Sequence, residues 1–227
     1  MFGHGRKMFN MENLNLTPVD LSKPQPFHNM PQYAYWSLKN MAVAEVLSIP
    51  NALTPQECNE VIKLGKAFEV SQSKTEDNTG FSNMRMSMNS WIPPCDITTW
   101  LFKKVSDYIN DMNTRYYEFE LRSLENFQFT EYDDTYSGFY GPHLDRFLTE
   151  SSPGTHRKLS LTLQLSDPSD YEGGELRMFT GGREPIVAPK EKGTITFFPS
   201  TTLHEVTPVT KGRRLSLVSW VSGPKFR

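Results

Sequence analysis

The sequence predicts a mainly β domain of the α+β class, with a jelly-roll core backed by helices near the N-terminus. Three observations carry that expectation. Two segments with helical periodicity come early, one after Thr54 and one after Asp96. Beyond Glu118 the chain turns to short strand candidates: Leu124 to Tyr132, Tyr140 to His143, Leu159 to Ser166, Glu175 to Phe179, Thr194 to Phe198 and Arg214 to Trp220. Turn-forming pairs separate them, namely Asp133-Asp134, Pro153-Gly154, Asp167-Pro168, Gly173-Gly174, Gly181-Gly182 and Lys211-Gly212. Many short strands at such spacing suit two packed sheets, and helices ahead of them must cover one sheet face.

Residues 1 to about 40 are rich in Asn, Pro and Met without a sustained period, and read as an extension to a domain spanning 41–227. Met41 to Ile49 reads as a strand ended by Pro50. The first helix has agreeing start signals: Thr54 as N-cap, Pro55 at the first helical position and Glu57 to complete a capping box. Val61, Ile62, Leu64 and Phe68 form its buried side. Glu69 to Asn83 is polar, and reads either as a solvated connector or as a flap over a site. Arg85 to Trp91 alternates like a strand. Asp96 is a candidate cap for the second helix, whose apolar stripe is Ile97, Leu101, Val105, Tyr108 and Met112.

Composition bounds the function. A net charge of -2 over 227 residues implies no global attraction to nucleic acid or anionic membrane. Two cysteines, Cys58 and Cys95, are too few for a disulfide framework and fit a reducing, cytoplasmic setting. No stretch has the apolar length of a signal peptide core or a membrane span.

The chemistry gathers in Tyr140-Gly-Pro-His-Leu-Asp145. His143 and Asp145 are two apart, which on a strand offers an imidazole and a carboxylate to one point. A third ligand is available at His204, just after an apolar run. Two histidines and one carboxylate on one face of a metal suit non-haem iron, leaving positions open for co-substrate and oxygen. Structural zinc favours cysteine-rich closed sites, and neither cysteine is near these residues in sequence. Arg214 heads a strand on which Ser216, Val218 and Trp220 share its face. A guanidinium with a hydroxyl two residues on makes a receptor for a carboxylate. Arg213 points to the other face, toward solvent.

His143-Leu-Asp145, His204 and Arg214-Leu-Ser216 resemble the iron and 2-oxoglutarate set of the 2-oxoglutarate-dependent dioxygenases. Within them the prolyl 4-hydroxylase group, including PKHD-type hydroxylases, is most similar. Leu165-Ser-Asp-Pro-Ser-Asp-Tyr-Glu-Gly-Gly-Glu-Leu176 and Leu203-His-Glu-Val-Thr-Pro-Val-Thr-Lys-Gly212 carry the PKHD likeness, and Arg85 to Trp91 is similar to an early prolyl 4-hydroxylase strand. The likeness spans roughly residues 42–222.

The resemblance implies a double-stranded β-helix (jelly roll) and an enzyme that consumes 2-oxoglutarate and O2, releases succinate and CO2, and hydroxylates an unactivated C–H bond. It assigns Fe(II) to His143, Asp145 and His204, and catalysis to these three with Arg214. It assigns 2-oxoglutarate to Arg214, Ser216, Tyr132 and Gln164, Gln164 standing where relatives often have a tyrosine; Thr162 flanks the same pocket. Ascorbate is an additional candidate ligand. Asp145 itself favours hydroxylation, because halogenating relatives lack this carboxylate. The implied substrate is a prolyl residue in a peptide or protein, lined by Tyr140 and Trp220, with Glu69 to Asn83 in the place of a substrate-covering loop. Alternatives at this stage are the same chemistry on another residue or a small metabolite, and a catalytically silent jelly-roll binding module. Nucleic-acid demethylation is disfavoured by the acidic balance.

Overall fold

A computed structural model describes residues 43–69, 71–72, 84–145 and 155–225. The strands are β1 (Leu47–Ile49), β2 (Ser71–Gln72), β3 (Arg85–Met86), β4 (Met88–Ile92), β5 (Ser123–Leu124), β6 (Phe127–Asp133), β7 (Phe139–His143), β8 (Thr155–Gln164), β9 (Tyr171–Gly173), β10 (Leu176–Phe179), β11 (Ile186–Val187), β12 (Ile195–Pro199), β13 (Leu203–Val206) and β14 (Val209–Pro224). The helices are α1 (Pro55–Ala67) and α2 (Thr99–Met112). A major antiparallel sheet runs β1-β12-β8-β14-β6-β4-β2, with β5 and β9 attached to β14, and a minor one runs β11-β10-β13-β7-β3. This is the expected jelly roll. Among the described residues no helix is long and apolar enough to cross a membrane.

One face of the major sheet builds the core against the helices. Phe127 and Phe129 of β6, Leu159, Leu161 and Leu163 of β8, Ile195 and Phe197 of β12, and Leu215 and Leu217 of β14 pack with Val61 of α1 and Leu101, Val105 and Ile109 of α2. Each such side chain contributes about 1.5–3 kcal/mol when fully buried, so this face carries most of the fold's stability. Gly65 lets α1 approach closely, since a Cβ there would lie 2.2 Å from the Phe129 ring.

Helix α1 begins as the sequence indicates, with Thr54 and Glu57 forming a reciprocal capping box and Pro55 in the first turn. Glu57 also receives Lys104 of α2, at 2.7 Å. Val61 is buried, while Ile62, Leu64 and Phe68 are half-buried against the core.

Several local expectations are corrected. Asp96 does not cap α2. It lies exposed in a turn, and the N-cap is Thr98, whose buried hydroxyl donates to the Pro93 carbonyl and accepts the Cys95 N–H. The stripe shifts accordingly: Ile97 is 64% exposed, and Ile109 joins Leu101, Val105 and Met112 in burial. In the stretch 43–49 only Leu47–Ile49 pairs as a strand, and Met41 lies outside the described residues. Arg85 to Trp91 divides between sheets, β3 pairing β7 and β4 pairing β6. Lys211-Gly212 is no turn between strands. It lies inside β14, just after a shift in the register to β9 between Val209 and Lys211, and Gly212 takes φ +70°. The reading of residues 1–40 lies outside the described residues, as does that of the flap beyond Gln72.

Two predictions follow from the helix-side core. Gly65→Ala gains helix propensity of about 1 kcal/mol, but overpacking costs typically 1–3 kcal/mol. The net expectation is a lower Tm in thermal unfolding, and an unchanged or higher Tm would contradict the close approach. Burial pushes the Cys58 thiol up to about 11, whereas Cys95 is exposed. A thiol reagent applied to the native protein near pH 8 should label Cys95 rapidly and Cys58 only on unfolding, as read by peptide mass mapping.

Candidate metal centre and adjoining anion pocket

The other face of the major sheet is unusual for a sandwich interior. Side chains alternate along each strand, so the residues opposite the helix-side core face the minor sheet. Gln128, Thr130, Ser160, Thr162, Gln164, Thr194, Thr196, Arg214 and Ser216 are polar and all buried. Burying this many polar groups is unfavourable unless each meets a partner, so a sandwich lined this way reads as a binding cavity.

Against this face, where Ser160 touches Asp145, three metal-binding side chains converge. His143 ends β7 and is the register partner of His204 in β13. Asp145 lies two residues past the end of β7, so the strand alternation expected to align it with His143 does not operate. The groups are nonetheless brought together: one ligand atom from each of His143, Asp145 and His204 falls within 4.8 Å of the others. Nε2 of His143 is 3.6 Å from Asp145 Oδ1, and Nε2 of His204 is 3.5 Å from Oδ2.

The same local device orients both imidazoles. The His143 Nδ1–H donates to the Gly141 carbonyl at 2.8 Å, and the His204 Nδ1–H donates to the Thr202 carbonyl at 2.9 Å. Each ring thereby presents a bare Nε2 to the common centre. Tyr140 stacks on His143 with ring centroids 3.5 Å apart, and Phe198 packs 4.7 Å from His204. The Asp145 carboxyl accepts a hydrogen bond from Ser160 at 2.8 Å, and Ser160 is 2.9 Å from Ser200. The Trp220 indole N–H also faces this carboxyl without reaching hydrogen-bond geometry.

These surroundings set the charge states. Burial, reinforced by His204, pushes His143 down to about 4, so the imidazole is neutral near pH 7. Burial alone would raise Asp145, but the two histidines, the Ser160 hydrogen bond and Trp220 hold it below the usual carboxylate range. A neutral imidazole beside an ionised carboxylate is the state that binds a metal. The donor set of two imidazoles and one carboxylate, arriving from one side, fits Fe(II).

Arg214 is buried on the same face of the major sheet, and among the described residues no Asp or Glu lies within ion-pair distance of it. Its Nη1 is 3.3 Å from the Ser216 hydroxyl, and its guanidinium lies 5.5 Å from the Tyr132 ring centroid. Around it stand Thr162, Gln164, Tyr171 and Thr194, and the Thr194 hydroxyl is buried without a hydrogen-bond partner. A buried cation and an unsatisfied hydroxyl facing one cavity are suited to an anion. Arg213 is exposed on the other face, as expected, and there pairs with Asp133 at 2.6 Å and Glu131 at 3.6 Å.

The sequence-predicted residues therefore fall into neighbouring groups. His143, Asp145 and His204 meet at the centre, with Tyr140 and Trp220 against them. Tyr132, Gln164 and Ser216 surround Arg214. Trp220 sits beneath Arg157, whose guanidinium is 3.8 Å from the indole centroid and pairs with Glu125.

Four residues escaped the sequence reading. Tyr171 brings a buried hydroxyl to the Gln164 amide at 2.9 Å, from a strand too short to show a pattern. Arg85 lies 4.5 Å from the Tyr140 ring centroid and donates to Ser87, Asn89 and Gln128. Ser160 and Ser200 complete the set; Ser160 was signalled only by the polar alternation of β8. A separate surface groove of about 540 Å³ lies on the helix side of the sheet near Arg213, whose charge is already matched there.

Comparison with known proteins agrees with this geometry. Residues 127–222 match the 2OG-Fe(II) oxygenase superfamily. A PKHD-type hydroxylase from Polaromonas sp. is 30% identical over 184 residues, covering 78% of each chain. Another from Gloeothece citriformis is 29% identical over 176 residues, covering 78% of this chain and 77% of the relative. A Pseudomonas putida prolyl-4-hydroxylase superposes with a TM-score of 0.63 at 22% identity, covering 80% of this chain and 94% of that one. A Trichoplax adhaerens prolyl hydroxylase, solved with a hypoxia inducible factor peptide fragment, gives 0.64 at 18% identity, covering 78% and 82%. The chain belongs to the 2OG-Fe(II) oxygenase superfamily, whose members use Fe(II), 2-oxoglutarate and O2, and its sequence is PKHD-like.

Proposed function

We propose that this dioxygenase hydroxylates a prolyl residue in a peptide or protein. The observation that carries the reading is the convergence of His143, Asp145 and His204, together with an Arg214 buried on the inner face of the major sheet with no acidic partner among the described residues. The PKHD-like sequence and the peptide held by a structural neighbour support the substrate class.

His143, Asp145 and His204 hold the Fe(II), and the hydrogen bonds on each Nδ1 keep both Nε2 lone pairs aimed at it. When bound, Fe(II) with 2-oxoglutarate supplies the O2-dependent oxidising chemistry that hydroxylates a C–H bond and leaves succinate and CO2. Arg214 binds the distal carboxylate of 2-oxoglutarate, assisted by the Ser216 hydroxyl. Tyr132 flanks the guanidinium, and the Gln164–Tyr171 pair closes the pocket beside it. Tyr140 stiffens His143 by stacking and, with Trp220, presents aromatic surface to an apolar pyrrolidine ring. Arg157 and its partner Glu125 brace the indole from behind.

Two outcomes test this reading. Truncating one partner of a buried charge pair costs about 2–5 kcal/mol, so Arg214→Met should raise the KM for 2-oxoglutarate by about 30-fold or more. An unchanged KM would remove Arg214 from the co-substrate site. Incubation with Fe(II), 2-oxoglutarate and a panel of proline-containing peptides should give peptide-stimulated succinate and one added oxygen on proline by mass, both absent in Asp145→Ala. Succinate without oxidised proline would retain the dioxygenase and reject the prolyl substrate. No succinate under any condition would count against both.

A further inference from the structure

We propose that Ser160 and Ser200 form a positioning pair that fixes how the Asp145 carboxylate meets the metal. This rests on the reading that His143, Asp145 and His204 hold Fe(II). Ser160 is fully buried in β8, where it is the register partner of Trp220 in β14 and Phe198 in β12. It therefore reaches the metal centre from the rigid major sheet, whereas Asp145 lies beyond the end of a strand of the minor sheet.

The proton count sets the direction of the hydrogen bonds. An ionised carboxylate only accepts, so Ser160 gives its single proton to Asp145 Oδ2. The contact between the two hydroxyls must then be filled by the Ser200 proton, making a directed chain from Ser200 to Ser160 to Asp145. Ser200 is itself fully buried and tied to the same strand, its N–H donating to the Lys158 carbonyl at 3.0 Å. Oδ2 thus gives one acceptor site to Ser160, which biases metal binding toward Oδ1, 3.6 Å from His143 Nε2. A carboxylate held by one oxygen acts as a one-point ligand and keeps neighbouring coordination positions free for the co-substrate and oxygen. Without the hydroxyl, Oδ2 loses this partner and both oxygens compete for the metal.

The test is Co(II) binding to the full-length chain, followed by its visible absorption, which reports coordination number. Removing an orienting partner of a ligand costs about 10–100-fold in metal affinity. Ser160→Ala should weaken Co(II) binding by that factor and change the band shape, while the Tm of the metal-free protein falls little. Ser160→Thr and Ser160→Val, matched in shape, separate the hydroxyl from packing: Thr should keep tight binding and Val lose it. Ser200→Ala should give a smaller loss, because Ser160 still donates. Wild-type affinity and spectrum in both Ser160→Ala and Ser160→Val, with binding abolished in Asp145→Ala, would overturn the positioning role and leave the metal site standing. Unimpaired binding in Asp145→Ala would overturn the metal assignment and this inference together.

Discussion

Charge buried inside a β-sandwich costs several kcal/mol per ion unless a counter-charge meets it. This chain buries an ionised carboxylate at Asp145 and a guanidinium at Arg214, and does not pair them with each other. Each is left facing a cavity, the first between two imidazoles, the second among hydroxyls. A divalent cation and a dicarboxylate would satisfy both and leave the interior close to neutral. These two buried charges thus specify the chemistry of what must enter.

The fold makes this arrangement tolerable by dividing labour across one sheet. The helix-side face of the major sheet packs leucines and phenylalanines from β6, β8, β12 and β14 against α1 and α2. The opposite face of the same strands carries serine, threonine, glutamine and arginine. Stability lives on one side and binding on the other, so site substitutions such as those at Arg214 or Ser160 need not touch the main core. The minor sheet contributes the two imidazoles through neighbouring strands, and their in-register pairing holds the rings 4.1 Å apart.

Much of this was legible in the sequence, for identifiable reasons. The α1 start carried redundant signals, and capping box, Pro55 and Thr54 all appear as read. The clustering of His143, Asp145 and His204 could be anticipated because few histidines exist and their spacing is distinctive. The expected convergence is present, but the paired strand stops at His143, so Asp145 is held by contacts such as the Ser160 hydrogen bond and not by the sheet ladder. Asp96 looked like a cap because local residue types cannot say that the Thr98 hydroxyl would be buried and satisfied elsewhere. Ser160 was hidden for a different reason. The alternation Leu159-Ser-Leu-Thr-Leu-Gln-Leu165 reads as one face in water and one in a core, and only the second sheet shows that both faces are buried.

The central claim is that one cavity holds Fe(II) through His143, Asp145 and His204 and holds 2-oxoglutarate through Arg214. The most direct measurement is anaerobic visible absorption of the full-length chain titrated with Fe(II) and 2-oxoglutarate. The account predicts a charge-transfer band that needs both components, disappears in His204→Ala and requires far more 2-oxoglutarate in Arg214→Met. No band at saturating Fe(II) and 2-oxoglutarate, or an unaltered band in His204→Ala, would contradict it.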